Sequence, residues 1–179
     1  MAAVGVHGCG APLMAISLTG PARAFRSFAR AAPGSPERRV ADAMRAHPEY
    51  VAGTRRHHTW LMREVPGVLS KVGAEAVQAV ALPDGRALAL KVDDGAARSL
   101  GPVLARALRL LGVTAPVVER IGRTPVLGGG RAVGEVRAVF RPAPRSPGAD
   151  ARSGRCGPRE VGGFRCGRHL LTPVWDSVP

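Results

Sequence analysis

Apolar positions are densest between residues 70 and 92, where two runs of small apolar side chains flank Leu82-Pro83-Asp84-Gly85-Arg86. Proline presets φ for an early turn position, aspartate bonds back to the backbone, and glycine accepts positive φ. The stretch therefore predicts a β-hairpin. A lysine opens its first strand, and strand alternation puts Lys71, Gly73 and Glu75 on one face. Such a face can wall a polar pocket; the plainer reading is a lysine with its head in water.

The period changes to that of a helix in the next segment. Leu100, Val103, Leu104, Ala107, Leu108 and Leu111 recur at steps of three and four and predict a helix over 96–111. Asp93 or Asp94 can complement its start, and Gly112 suits the position after its end. Upstream, Ala22, Phe25, Phe28 and Ala29 predict a helix begun at Gly20-Pro21. Ser35 reads as an N-cap with Pro36 in the first helical position, for a helix over 36–46. His47-Pro48 ends it, because the residue before proline leaves the α region. A short helix is expected near 60–64, strands over 117–121 and 132–140, and a hairpin turn at 128–130. Residues 1–12 read as strand or loop. The order predicts an α/β (α+β) chain, an antiparallel sheet with flanking helices.

Beyond residue 140 the chain becomes rich in Pro, Gly, Ser and Arg without a period. The expected division is a domain over 1–140 and a disordered or poorly packed tail over 141–179.

Composition narrows the partners. The net charge is +13, and 24 of the 26 basic residues are arginine. Asn is absent and Gln78 is the single glutamine, the mark of a GC-rich coding sequence. The arginines are scattered with no aromatic residues between them, so nucleic acid is the least favoured partner. No apolar run reaches 18 residues, and no membrane span is expected. The first 36 residues carry arginines and no acid, as transit peptides do, but lack a clean Arg-lined face. Three scattered cysteines do not make a disulfide framework, so a cytoplasmic location is expected. Lys71 and Lys91 are the only lysines. Lysine, unlike arginine, can lose its proton when desolvated.

Four collinear blocks carry a family resemblance: GCGAPLMAISLTGPARAF, AMRAHPEYVAG, TWLMREVPGVLSKVGAEAV and ALPDGRALALKVDDGAAR. Together they resemble the C-terminal half of the L-asparaginase II family, the rhizobial-type asparaginases with a serine-β-lactamase-like fold. That resemblance implies hydrolysis of L-asparagine to L-aspartate and ammonia. In such a site a serine attacks the amide, a nearby lysine takes the proton, and backbone N–H groups hold the oxyanion. Lys71 matches the family's strand lysine. Glu75 supports it in the same block, and Gly73 and His7 stand at substrate-binding positions. Cys9 matches one cysteine of the family's zinc site; no cofactor is required for the Ser/Lys chemistry, and zinc enters only by this resemblance.

The departures are as informative. No Ser-x-x-Lys occurs in the 179 residues, and the second zinc cysteine and zinc lysine are absent. His7 and His58 stand where the family carries acids, and GAEG has become GAEA at Ala76. The expected partners are L-asparagine and a complementary N-terminal half or a second copy of the chain. Taken as a truncated family polypeptide, the chain is expected to be inactive alone. Two other classes stand beside this one, a non-catalytic interaction module and a basic nucleic-acid-associated protein. Cys9 by itself reads as a buried small hydrophobe, and His57-His58 as part of a polar loop. Cys156 with Cys166 and His169 reads as a chance cluster.

Overall fold

The computed structural model describes residues 3–139 and the backbone of two strands, Phe164–Cys166 and His169–Val174. The chain begins with a hairpin of β1 (Ala3–Val6) and β2 (Pro12–Ala15). Four helices follow: α1 (Thr19–Arg30), α2 (Pro36–Ala46), α3 (Pro48–Ala52) and α4 (His57–Glu64). Strands β3 (Leu69–Gly73), β4 (Val77–Ala81) and β5 (Ala87–Val92) come next, then α5 (Leu100–Leu110) and α6 (Pro116–Gly122). A second small hairpin joins β6 (Pro125–Gly128) to β7 (Arg131–Glu135). The late strands are β8 (Phe164–Cys166) and β9 (His169–Val174).

The main sheet is antiparallel throughout, in the order β3-β4-β5-β9-β8, with helices on both faces. Its register puts Leu69, Ala81 and Ala87 on one row and Lys71, Ala79 and Ala89 on the next. This face is nearly all alanine, so α1 can approach closely, burying Ala22 and Ala29 against Ala81, Ala87 and Ala89. The opposite face presents Val80, Leu88, Leu90 and Val92 to Leu104 and Leu108 of α5, and Val118 and Ile121 of α6. Each fully buried leucine there contributes about 1.5–3 kcal/mol relative to an exposed one.

Helix ends follow the local chemistry. The Ser35 hydroxyl accepts a hydrogen bond from the Arg38 N–H at 3.2 Å, with Pro36 at the first helical position and Glu37 beside the positive end of the dipole. Ser35→Ala is expected to destabilise the chain by about 1 kcal/mol, read as a lower urea midpoint at unchanged slope. Gly112, at φ 78°, ends the α5 segment as expected. Gly129 and Gly130, at φ 56° and 78°, make the β6–β7 turn.

Three expectations are corrected. Residues 117–121 form helix α6 and not a strand: Pro116 is preset for a first helical turn, and Val117, Val118 and Ile121 all reach the core from one helical face. The strand expected over 132–140 is shorter: β7 ends at Glu135, and residues 136–139 have no regular structure. Within the stretch expected to lack regular structure, 164–166 and 169–174 are strands, with β9 pairing along β5 from Ala87↔Val174 to Val92↔His169. Cys156 lies outside the described residues, while Cys166 and His169 are register partners of β8 and β9.

Candidate functional site

The hairpin expected over 70–92 has one strand more than the alternation suggested. Residues 70–81 fold back on themselves as β3 and β4, with Gly73 opposite Val77. The reversal is made at Glu75 and Ala76, both with positive φ, 53° and 54°. Glu75 therefore does not share a strand face with Lys71 and Gly73. Its side chain is exposed, and its carbonyl accepts a hydrogen bond from the Lys91 ammonium at 2.8 Å. Left-handed backbone costs an L-residue about 1–2 kcal/mol. Glu75→Gly releases this strain without losing a buried side chain, so a gain of about 1 kcal/mol is expected. Thermal melting checks it; a fall in midpoint would mean that the carboxylate holds the turn.

Lys71 and Gly73 stand on β3, the edge strand of the main sheet. Beside that edge lies a cleft of about 490 Å³, lined by Tyr50 and Gly53 from α3 and its end, Arg56, His58, Lys71 and Gly73. The loop carrying Arg56 is fixed by short-range bonds. Gly53 ends α3 at φ 71°, and its carbonyl accepts from the buried Thr59 hydroxyl at 2.6 Å. The Trp60 indole N–H donates to the Thr54 carbonyl at 3.0 Å, and the Arg120 guanidinium stacks over the Trp60 ring at 4.5 Å. Arg120 also pairs with Glu64 at the other end of α4.

Under the edge strand runs a buried polar chain. His57 Nε2 donates to Gln78 Oε1 at 3.0 Å, and Gln78 Nε2 donates to Ser70 Oγ at 2.8 Å. Ser70 and Gln78 are both fully buried. Alternation turns Ser70 away from Lys71, and its hydroxyl is engaged by Gln78. Ser70 is thus a structural hydroxyl and not a nucleophile for its neighbour.

His58 differs from every other polar side chain here. It is 1 % exposed, and neither ring nitrogen has a hydrogen-bond partner among the described residues. Burial, then the neighbouring titratable His57 and the cations Lys71 and Arg56, lower its pKa to about 4, so the imidazole is neutral at pH 7. His57 shifts in the same direction, chiefly by burial, against the Gln78 hydrogen bond. The expected polar loop is corrected: both histidines open helix α4, their rings edge-to-face at 5.1 Å.

The Lys71 ammonium donates to the Val72 carbonyl at 2.6 Å, and neither Lys71 nor Arg56 forms an ion pair among the described residues. Among the described residues no carboxylate lines the cleft. The nearby Glu49 is committed to Arg63 at 3.1 Å. A larger groove of about 570 Å³ lies between α5, α6 and the segment after β7. Its acids Glu119 and Glu135 are paired with Arg109 and Arg137.

His7 and Cys9 fall elsewhere, in the β1–β2 turn. His7 Nδ1 lies 2.9 Å from Cys9 Sγ, and both residues are exposed. Cys9 is therefore not the buried hydrophobe expected of a lone thiol; a tight turn holds it outside the core. A zinc site needs four donors, and this pair supplies two. Among the described residues no group of three or more ligating side chains surrounds it, so the residues described do not fit a closed zinc site.

Sequence reasoning found Lys71 and Gly73 and marked His58 as standing in place of an acid, but it missed Arg56 and the burial of His58. A helix begun by Arg-Arg-His-His and continued by Thr-Trp-Leu-Met was legible as amphipathic. That its second histidine is buried was not, because β3, which walls the same cleft, comes later in the chain, at Leu69–Gly73. The sequence model of the family described as L-asparaginase II matches residues 1–138. A search of the curated proteins gives no match. No helix among the described residues is long and apolar enough to cross a membrane.

Proposed function

Because the chain belongs to the L-asparaginase II family, we propose that its cleft is the lysine-bearing side of an amidohydrolase site that splits L-asparagine into L-aspartate and ammonia. The observation that carries this reading is Lys71, an amine on an edge strand that opens onto a cleft. In the Ser/Lys mechanism a serine hydroxyl adds to the carboxamide carbon while the lysine amine accepts its proton. The amine then passes that proton to the departing ammonia, and water hydrolyses the acyl-serine. Exposed backbone N–H groups of an edge strand suit the developing oxyanion.

In this reading the nucleophile lies outside these 179 residues, and the 179 residues alone are inactive. Two observations support it. The sequence holds no Ser-x-x-Lys, and Ser70, the serine adjacent to Lys71, is buried and bonded to Gln78. The exposed apolar side chains Val4, Val6, Leu13, Met14 and Ile16 around the first hairpin give such a half a surface to pack on. A serine-β-lactamase-like fold for the assembled domain, residues 1–140 of this chain included, is part of the same proposal.

The test is an ammonia assay with L-asparagine. The isolated chain is expected to release none above buffer. Mixed with a Ser-x-x-Lys-bearing N-terminal half of a family member, it is expected to gain activity that Lys71→Ala removes. Activity of the isolated chain that disappears in Lys71→Ala overturns the divided site. An inactive mixture in which sedimentation shows the complex overturns the amidohydrolase reading.

A further inference from the structure

Gln78, the single glutamine of the chain, is fully buried on the face of β4 that otherwise meets the apolar core. Its register partners are Val72 on β3 and Leu90 on β5. A carboxamide among such neighbours costs free energy unless its two ends are bonded. They are bonded to two different elements. Oε1 accepts from His57 at 3.0 Å, and Nε2 donates to Ser70 at 2.8 Å. Ser70 is the residue before Lys71, and His57 stands between Arg56 and His58. Lys71, Arg56 and His58 line the cleft, and Gln78 lies behind it. Extending the amidohydrolase reading to the residues behind the cleft, we propose that Gln78 is a positioning residue of the site. It ties the strand that carries Lys71 to the start of the helix that carries His58, and so sets how the two walls of the cleft stand to one another. Its effect on catalysis rests on that reading; its effect on the cleft rests on the bonds alone.

An edge strand needs such a tie. β3 pairs with β4 on one side only, so its second restraint comes from the layer packed on the sheet. Helix α4 belongs to that layer, with Leu61 in the same core cluster as Val80 and Val68. Apolar packing holds two elements together but is non-directional, so it leaves their offset loosely set. Hydrogen bonds at both ends of one planar carboxamide are directional and fix the offset as well. Among the described residues no other side-chain hydrogen bond joins α4 to the main sheet.

Strand alternation carries the constraint through to the cleft. Ser70 and Lys71 project from opposite faces of β3, so holding the first side chain holds the backbone from which the second projects. The same logic applies at the start of α4. By accepting the Nε2 proton, Gln78 sets the tautomer and the orientation of the His57 ring. That ring stands at the turn from which Arg56 and His58 reach the cleft. Where an amine is to take the proton of a serine, the two groups must meet within hydrogen-bond distance, and a small displacement of the amine is costly.

Lys71 and Lys91 are the only lysines, on the strands either side of β4. Isotope-labelled reductive methylation of the full 179-residue chain therefore gives each its own NMR signal, with Lys91 as the internal control. Gln78→Met keeps the length of the side chain and removes both bonds. It is expected to shift the Lys71 signal and leave the Lys91 signal in place. Gln78→Glu keeps both bonds, since a carboxylate accepts from the His57 N–H and the Ser70 O–H. In the ammonia assay with the N-terminal half, Gln78→Met is expected to lower kcat about tenfold with little change in KM, and Gln78→Glu to restore most of the loss. If circular dichroism shows Gln78→Met unfolded, Ser70→Ala cuts the same tie at its strand end and carries the same expectations. A folded variant in which both lysine signals shift, or neither does, makes Gln78 a purely structural residue and overturns the proposal. So does an assembled Gln78→Met enzyme as active as the parent, or an equal loss in Gln78→Glu. A parent mixture that forms the complex and releases no ammonia overturns the amidohydrolase reading alone, because the lysine signals still decide the tie.

Discussion

Between pH 7.5 and pH 4.5 the chain is expected to lose about 2.5 kcal/mol of stability through His58 alone. The folded-state pKa of about 4 lies below the ordinary value of 6.5. Above pH 6.5 the imidazole is neutral in both folded and unfolded chains, and its effect on stability is constant. As pH falls toward 4, the unfolded chain takes up a proton that the folded chain refuses. Stability therefore falls through this window and levels off below the folded pKa. His57, shifted in the same direction, adds to the slope. Asp42, Asp84, Glu49 and Glu119 are held below the usual carboxylate range, chiefly by arginine partners or, for Glu49, by a backbone hydrogen bond, and lose their contribution at lower pH still. Urea midpoints at the two pH values measure the loss. His58→Leu removes both the proton site and two unpartnered nitrogens, and is expected to flatten the profile. An equally steep profile in His58→Leu would assign the acid sensitivity to the carboxylates instead.

Gly101→Ala is the second large effect, and its sign runs against helix propensity. Alanine in a helix interior is ordinarily favoured over glycine by about 1 kcal/mol. Gly101 lies in the first turn of α5, where a Cβ would stand 2.6 Å from the Ile121 carbonyl oxygen of α6. The obstacle is backbone, which cannot rotate away as a side chain can. The reciprocal contact is also tight: a Cβ on Gly122 would lie 3.2 Å from the Ala105 methyl. Alanine at 101 must therefore push α6 outward and loosen Val118 and Ile121 from the core they share with Leu104 and Leu108. The expected cost is about 2–3 kcal/mol, within the range for overpacked cores. Equilibrium unfolding in urea reads it. A variant as stable as the parent would mean that α6 shifts freely, and the close packing of these two helices would then be wrong.

Both effects come from contacts that no local pattern announces, and this marks where the sequence stops being legible. Ser35-Pro36 placed the start of α2, Pro83-Asp84-Gly85 the β4–β5 turn, and the leucine stripe the helix α5, because caps, turns and helical periods are local chemistry. The reversal at Glu75-Ala76 was missed for the complementary reason. Neither residue favours positive φ, so no local signal marks it. The turn is sustained by the β3–β4 register and by Lys91 on the Glu75 carbonyl. Helix α6 was read as a strand because its β-branched residues fit both periods, and only packing against α5 selects one.

The candidate site divides along the same line. By its own residues the sequence determined an antiparallel sheet with helices, a strand lysine at Lys71, and blocks shared with one family. The tertiary structure alone decided that Lys71 faces a cleft with Arg56, that Ser70 turns the other way into a bonded buried chain, and that His58 is buried with no hydrogen-bond partner among the described residues. Spacing along the chain fixes which side chains share an element. Charge compensation, solvent exclusion and the burial of a ring depend on which elements meet, and those meetings are set by the packing of the whole core.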